Sequence, residues 1–361
     1  MKMRKIVCSF MISVVCFMTA IAGVSATSYD TSKINAAYSK VVEYYKNNNN
    51  LNNADKILAV ESLGLEAESN QFDTSSANLS STSLSKKIVT EVLLGVDPTE
   101  DKETLESQID ENGNVEGSWG ASSDVWTLYA LYVTSSEKTN LIANKLNDEL
   151  AASSVCGYEW GGTYYADYDT TGWVIEGLAV VNKEKYATTI NKAIDYIKNN
   201  TTMTTTGWVT ADNVDTQSQV LEGMFAYDTN ALLNDSYTVH PVDCLLNTQL
   251  SDGSFPSGYN AEYTTAEVAK TLGTYKNGSV IIKAKKAYDK MMNPEQPDNT
   301  KPTQPTDTKK DTQSTNKVET TNKKTTSVKT GDETNVVIFA SLSMVSGGLF
   351  LVLRKEYERV H

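Results

Sequence analysis

Tyr168-Asp169-Thr170-Thr171-Gly172-Trp173-Val174-Ile175-Glu176-Gly177-Leu178 and Val214-Asp215-Thr216-Gln217-Ser218-Gln219-Val220-Leu221-Glu222-Gly223-Met224 follow one pattern. Two further segments align with them: Ser123 to Leu131, around Asp124, and Ala261 to Leu272, around Glu262 and Thr264. The acidic positions 124, 169, 215 and 262 are spaced by 45, 46 and 47 residues. An aromatic residue flanked by glycines precedes each: Trp119, Trp160, Trp208 and Phe255. A period of this length marks repeated helix pairs that bury one another by stacking.

Each copy reads as two helices. The first is rich in small and apolar residues on most faces, which implies burial all round. The second is amphipathic with exposed Lys and Glu, over 138–152, 183–199, 237–250 and 279–292. A weaker earlier copy has 32–46 as outer helix, 53–65 as inner helix and 83–94 as the next outer one. No segment alternates as a strand does, so the expected class is all-α. A closed ring of inner helices surrounded by outer ones, an α/α toroid, accounts for the buried inner faces.

Gln249-Leu250-Ser251-Asp252-Gly253-Ser254-Phe255 resembles the Gln-aromatic motif of the squalene cyclase and prenyltransferase repeat family. The resemblance covers about 50 to 292 and implies the toroid. It also implies a reading of Asp167-Tyr168-Asp169-Thr170-Thr171-Gly172, which is similar to the Asp-x-Asp-Asp-Thr-Ala motif of the cyclases. There the second Asp protonates an alkene, and Asp169 matches it, but Thr170 replaces the third Asp. Those cyclases use two such barrels and one is present here. Extracellular cobalamin-binding proteins are also similar in fold, but the small β domain they carry is not visible in this sequence.

Parallel inner helices would start at one end. Asp124, Asp169, Asp215 and Thr264 then sit where helix N-caps belong. The same geometry gathers Trp119, Trp160, Tyr164, Tyr165, Trp208, Phe255 and Tyr259 around one mouth, either as packing wedges or as the lining of a ligand pocket. Asp167, Asp169 and Asp215 are the candidate catalytic residues, because glycan cleavage needs paired carboxylates across a cleft.

Charge narrows the partners. Residues 27–292 hold 19 Lys, no Arg and 36 Asp plus Glu, a net charge of −17. Such a surface repels nucleic acid, and without Arg there is no bidentate clamp for a diphosphate. His240-Pro241-Val242-Asp243-Cys244 holds three zinc-type ligands, but on an outer helix and at spacing unlike the prenyltransferases. Asp110 to Glu116 resembles a calcium loop, but with its Gly at the fourth position. No metal and no cofactor is expected. Cys156 and Cys244 lie two repeats apart and are expected to be free thiols.

The ends of the chain carry addresses. Residues 1–26, with Lys2, Arg4 and Lys5, an apolar run and Val24-Ser25-Ala26, read as a secretory signal. Val15 is too large to precede a lipidated Cys16. Residues 293–334 are rich in Thr, Lys, Asp and Pro and read as a disordered stalk. Residues 335–353 are apolar and long enough to span a membrane as one helix, and the basic tail 354–361 stays inside. Ser327-Val328-Lys329-Thr330-Gly331 before that span resembles a sortase sorting signal, which implies cleavage between Thr330 and Gly331 and linkage to peptidoglycan. Val328 stands where the family has Pro. The expected protein is a bacterial surface protein, wall- or membrane-anchored, whose toroid binds a small molecule, glycan or partner without catalysis. The alternative is an extracellular enzyme, glycan-processing or cyclase-like, using Asp169.

Overall fold

The structure is a computed structural model that describes residues 29–68, 72–75, 78–202 and 213–293. The signal, stalk, sorting motif, candidate membrane span and Trp208 lie outside the described residues. Within them the protein is mostly helical. The helices are α1 (Ser32–Asn47), α2 (Ala54–Ser62), α3 (Ser81–Leu93), α4 (Thr99–Ser107), α5 (Ala121–Val133) and α6 (Thr139–Ser153). After the strands β1 (Gly157–Trp160) and β2 (Thr163–Ala166) come α7 (Tyr168–Asn200), α8 (Val214–Asn234), α9 (Pro241–Leu246), α10 (Ala261–Asn277) and α11 (Val280–Met292). None of the described helices is long and apolar enough to cross a membrane.

The repeat is visible in where two long helices break. Asn182 in α7 and Asp228 in α8 leave helical geometry, at φ −164°, ψ 90° and φ −155°, ψ 91°. Each side chain then caps the helical segment after the break. Asn182 Oδ1 accepts from Lys185 N, and Asp228 Oδ1 from Ala231 N, both at 2.9 Å. The break therefore divides a buried first segment from an outer one.

Packing between the buried segments runs α2–α3–α5–α7–α8–α10 and returns from α10 to α2. Side-chain bonds advance in step along neighbouring segments. Tyr259 reaches Asp215, Gln219 reaches Glu267, and Thr274 reaches Glu222. The helices therefore run parallel and start at one end. Close approach depends on glycine: a Cβ on Gly223 would lie 2.3 Å from the carbonyl oxygen of Gly172, and one on Gly172 would lie 2.5 Å from that of Gln219. Only hydrogen fits at such a crossing.

The middle is filled by side chains. Trp126 of α5, 2% exposed, has Lys86 Nζ of α3 at 4.4 Å and Lys270 Nζ of α10 at 5.4 Å from its ring centroid. Lys270 also pairs with Glu267 at 2.9 Å and Glu222 at 3.9 Å. Burial pushes the carboxyls of Glu222 and Glu176 upward, and Lys270 offsets only part of that. At the far end α11 packs on α2, α3, α5 and α10. There Ser279 Oγ donates to Glu176 at 2.6 Å and Lys283 pairs with Glu61 at 2.6 Å.

Four expectations need correcting. The pattern over 83–94 predicts an outer helix, but α3 is buried on nearly every face, with its lysines paired inside: Lys86 to Asp55 at 2.8 Å and Lys87 to Asp101 at 2.5 Å. The outer partner of α3 is α4. The expected outer helix 279–292 forms, but as the element closing the far end. The expected helix 237–250 shortens to α9, because Pro241 fits only the first turn and Asn247 onward turns away. Finally, β1 and β2 form an antiparallel hairpin where no strand is expected.

Candidate functional site

The buried segments begin at the end opposite α11. The residues capping them are Asn53, Ser80, Gly120, Asp167, Asn213 and Asn260. The caps expected at 124, 169, 215 and 264 therefore lie two to four residues into their helices. Asp167 is a true cap: its carboxylate accepts from Thr170 N at 2.6 Å and from Thr170 Oγ1 at 2.9 Å. Asp124 is fully buried, accepts from Ser118 Oγ at 2.6 Å and pairs with Lys145 at 2.8 Å. Its partners are all within the fold, so its role is structural.

Asp169 in the first turn of α7 and Asp215 in the first turn of α8 are thus free of the capping role. Asp215 Oδ2 accepts from the Tyr259 hydroxyl at 2.6 Å. Burial pushes the Asp169 carboxyl up to about 8, with Asp167 and Asp215 adding to it and a hydrogen bond from Thr216 opposing. A carboxyl in that range keeps its proton at neutral pH and can donate it. Asp167 is raised as well, chiefly by burial.

Beside these carboxyls stands the hairpin. Tyr158 pairs with Tyr165, their rings stacked at 5.5 Å. Trp160 packs edge-on against Trp119 at 5.9 Å, and Glu159 N donates to Trp119 O at 2.7 Å, which ties the hairpin to the start of α5. Gly157 is the anchor: a Cβ there would meet the Tyr165 carbonyl at 1.9 Å. Burial raises the Tyr158 phenol most, and the charges of Asp167, Tyr165 and Asp169 push it further. Alternation along β1 puts Tyr158 and Trp160 on one face, together with Tyr165 of β2. Tyr164 points to the other face and its hydroxyl donates to Glu149 at 2.9 Å.

Of the expected aromatics, Trp119 (47% exposed), Trp160 (43%), Tyr164 (44%), Tyr165 (40%) and Tyr259 (49%) are open to solvent. Five such rings left in water need an explanation beyond packing. Phe255 is different. It is fully buried, its N–H donates to Thr265 Oγ1 at 3.0 Å, and Gln249 Nε2 donates to Ala37 O and Gly253 O. The Gln-aromatic segment is a wedge holding α10 against α1, and Phe255 lines no opening.

Other candidates dissolve into local structure. His240 caps α9, with Nδ1 accepting from Val242 N at 3.3 Å, and Asp243 binds Tyr29 and Lys33. Asp110 is consumed by its own turn, accepting from Asn112 N and Asn114 N at 2.8 Å. Among the described residues no group of acidic, His and Cys side chains is arranged to hold a metal. Cys156 and Cys244 are not joined in a disulfide, as expected. Sequence reasoning misses Tyr158, although Tyr158-Glu159-Trp160-Gly161-Gly162-Thr163-Tyr164-Tyr165 carries a hairpin signal: aromatic runs separated by two glycines. No family model matches the chain, and no curated protein or solved structure is similar to it.

Proposed function

We propose that this chain is a bacterial cell-surface protein whose helical module binds neutral glycan chains at the end where its buried helices begin. The observation that carries this reading is the set of solvent-exposed rings of Trp119, Trp160 and Tyr165 on and against the hairpin that leads directly into Asp167, whose N–H donates to Cys156 O at 2.9 Å. Flat exposed rings offer apolar faces to the C–H faces of a pyranose, while carboxyls and phenols bind its hydroxyls. The net charge of −17 in residues 27–292 disfavours anionic ligands. The closed packing order of six buried segments supports the α/α toroid, and the filled centre speaks against a terpene-sized substrate inside it.

Surface display is part of the same proposal. The signal at 1–26, the stalk, the Thr330-Gly331 motif and the apolar run 335–353 support export and then sortase linkage to peptidoglycan, or membrane anchoring. Wall-digesting enzymes should release the protein from cells, and Thr330→Ala should leave it extractable by detergent alone. Wild-type protein that detergent alone extracts would refute the wall linkage.

Binding is tested by calorimetric titration of the full chain, in detergent, with neutral hexaoses of different linkage. The expected Kd is on the order of 10–1,000 μM for at least one, weakened by about tenfold or more in Trp160→Ala. Equal affinity in that variant sinks the reading. A second reading, glycan cleavage, is favoured by the Asp169 carboxyl, which burial pushes up to about 8 with Asp167 and Asp215 adding to it. Asp169→Asn should then abolish product formation and spare binding. If no hexaose is cut, this second reading falls.

A further inference from the structure

The same end of the module carries a cavity that the exposed rings do not use. It has a volume of about 300 Å³ and lies between the end of α1, the start of α2 and the start of α10. Tyr44, Asn48, Asn49, Asn50, Lys56 and Glu262 line it. We propose that this cavity is a second saccharide subsite, taking one pyranose of the chain whose other part stacks on Trp160. The inference rests on the glycan-binding reading above and names where that ligand extends.

Its chemistry is that of a polyol site. Lys56 Nζ and Glu262 Oε2 are 2.9 Å apart, so the cavity presents a donor and an acceptor side by side with their charges balanced. The Lys56 side chain is 15% exposed and its ammonium also reaches Asn52 Oδ1 at 3.4 Å, which holds it in place. Asn48 Nδ2 is spent on Tyr44 O at 2.8 Å, finishing α1. The exposed Asn49 and Asn50 carboxamides make no hydrogen bond within the described chain and offer paired donors and acceptors. Tyr44 is held edge-on against Tyr45 at 5.3 Å and closes one wall. Vicinal hydroxyls of a neutral sugar match this set, whereas an anion would meet Glu262 and a cation Lys56.

Position joins the two sites. Glu262 belongs to the first turn of α10, and Tyr259, just before that helix, binds Asp215. Burial is the main cause that raises the Tyr263 phenol, and Glu267, Asp55, Tyr259 and Asp169 add to it. Helix α10 packs on α2 on one side and α8 on the other, and α8 packs on α7. Neighbouring axes lie about 8–10 Å apart, so the cavity and the hairpin are on the order of 20 Å from each other. A disaccharide cannot occupy both; a hexaose can.

The test uses the full chain in detergent and its Asn50→Ala/Glu262→Gln variant. Both side chains are exposed, so the fold is not at stake, and Lys56→Gln serves as a second, independent probe. Cellohexaose and maltohexaose stand for environmental glycans and chitohexaose for the amino sugars of a cell wall, each beside its disaccharide. The inference predicts that the preferred hexaose binds about tenfold more weakly to the variant, while the matching disaccharide, seen by NMR shifts of Trp160, binds unchanged. Hexaose affinity unchanged in both cavity variants, but lost in Trp160→Ala, overturns the second subsite and leaves the first. Absence of binding by every saccharide overturns both. Equal loss of hexaose and disaccharide places the two contacts in one small site and also overturns the inference.

Discussion

Replacing Asp169 with Asn should make the protein more stable at alkaline pH and change little in acid. The reason is the carboxyl's position. Burial and the neighbouring Asp167 and Asp215 push it from an ordinary 3.8 up to about 8. In the unfolded chain it ionises near 4, and in the folded chain it keeps its proton until about 8. Below pH 4 both states hold the proton and nothing is lost. Between 4 and 8 the unfolded state alone gives up the proton, so wild-type stability falls as pH rises, and above 8 the whole cost is present. Four units correspond to a ceiling of about 5 kcal/mol. Because the side chain keeps some contact with solvent, a value of about 2 kcal/mol is the working expectation. Asn has no charge to lose, and its Oδ1 still accepts from Thr216. The assay is urea denaturation of both proteins at pH 5, 6.5 and 8. The variant's advantage should grow by about 2 kcal/mol between the first and last, or about 5 °C in Tm. A difference that stays constant with pH, or that favours the wild type at pH 8, would refute the assignment of a proton to Asp169.

Three further outcomes rest on the packing. Gly223→Ala puts a methyl group 2.3 Å from the Gly172 carbonyl, so α7 and α8 must part, at a cost of about 2–4 kcal/mol in thermal melts. Phe255→Ala should cost about 3–5 kcal/mol, yet the folded fraction should bind glycan as the wild type does, because the ring is core. Lys270→Met strands Glu267 and Glu222 and should destabilise by about 3 kcal/mol at pH 7 but less at pH 5, where the Glu222 carboxyl, already raised by burial, takes up a proton; denaturation at the two pH values measures the difference.

The helical repeat is legible because burial all round leaves a compositional trace: small and apolar residues on every face of 123–131, 168–178 and 214–224. Helix α3 reads as an outer helix for a physical reason. Lys86 and Lys87 resemble solvent-facing residues, but inside this module they are paired with Asp55, Asp101 and Glu91. Charge suggests water in the sequence where it marks a partner in the fold. The expected caps are displaced by two to four residues because Asp124, Asp169 and Asp215 repeat in register, whereas the true caps Gly120, Asp167 and Asn213 share no residue type. The hairpin escapes because four-residue strands are too short for alternation to register. That omission hides Tyr158, whose ring stacks on Tyr165 across the hairpin. Phe255 aligns with Trp160 in sequence but not in exposure, since the segment before it wedges against Lys40 and Ala37 of α1 whereas the segment around Trp160 projects as a hairpin.

The central claim is that exposed rings at the helix-start end receive a neutral glycan. Indole N–H resonances of the five tryptophans in the full chain, followed while a hexaose is titrated in, test it most directly. The account predicts that the Trp119 and Trp160 signals move together and saturate with one Kd, while that of Trp126, buried between Lys86 and Lys270, stays fixed. If Trp119 and Trp160 remain still at millimolar concentrations of every hexaose, or if only Trp126 moves, the claim is contradicted.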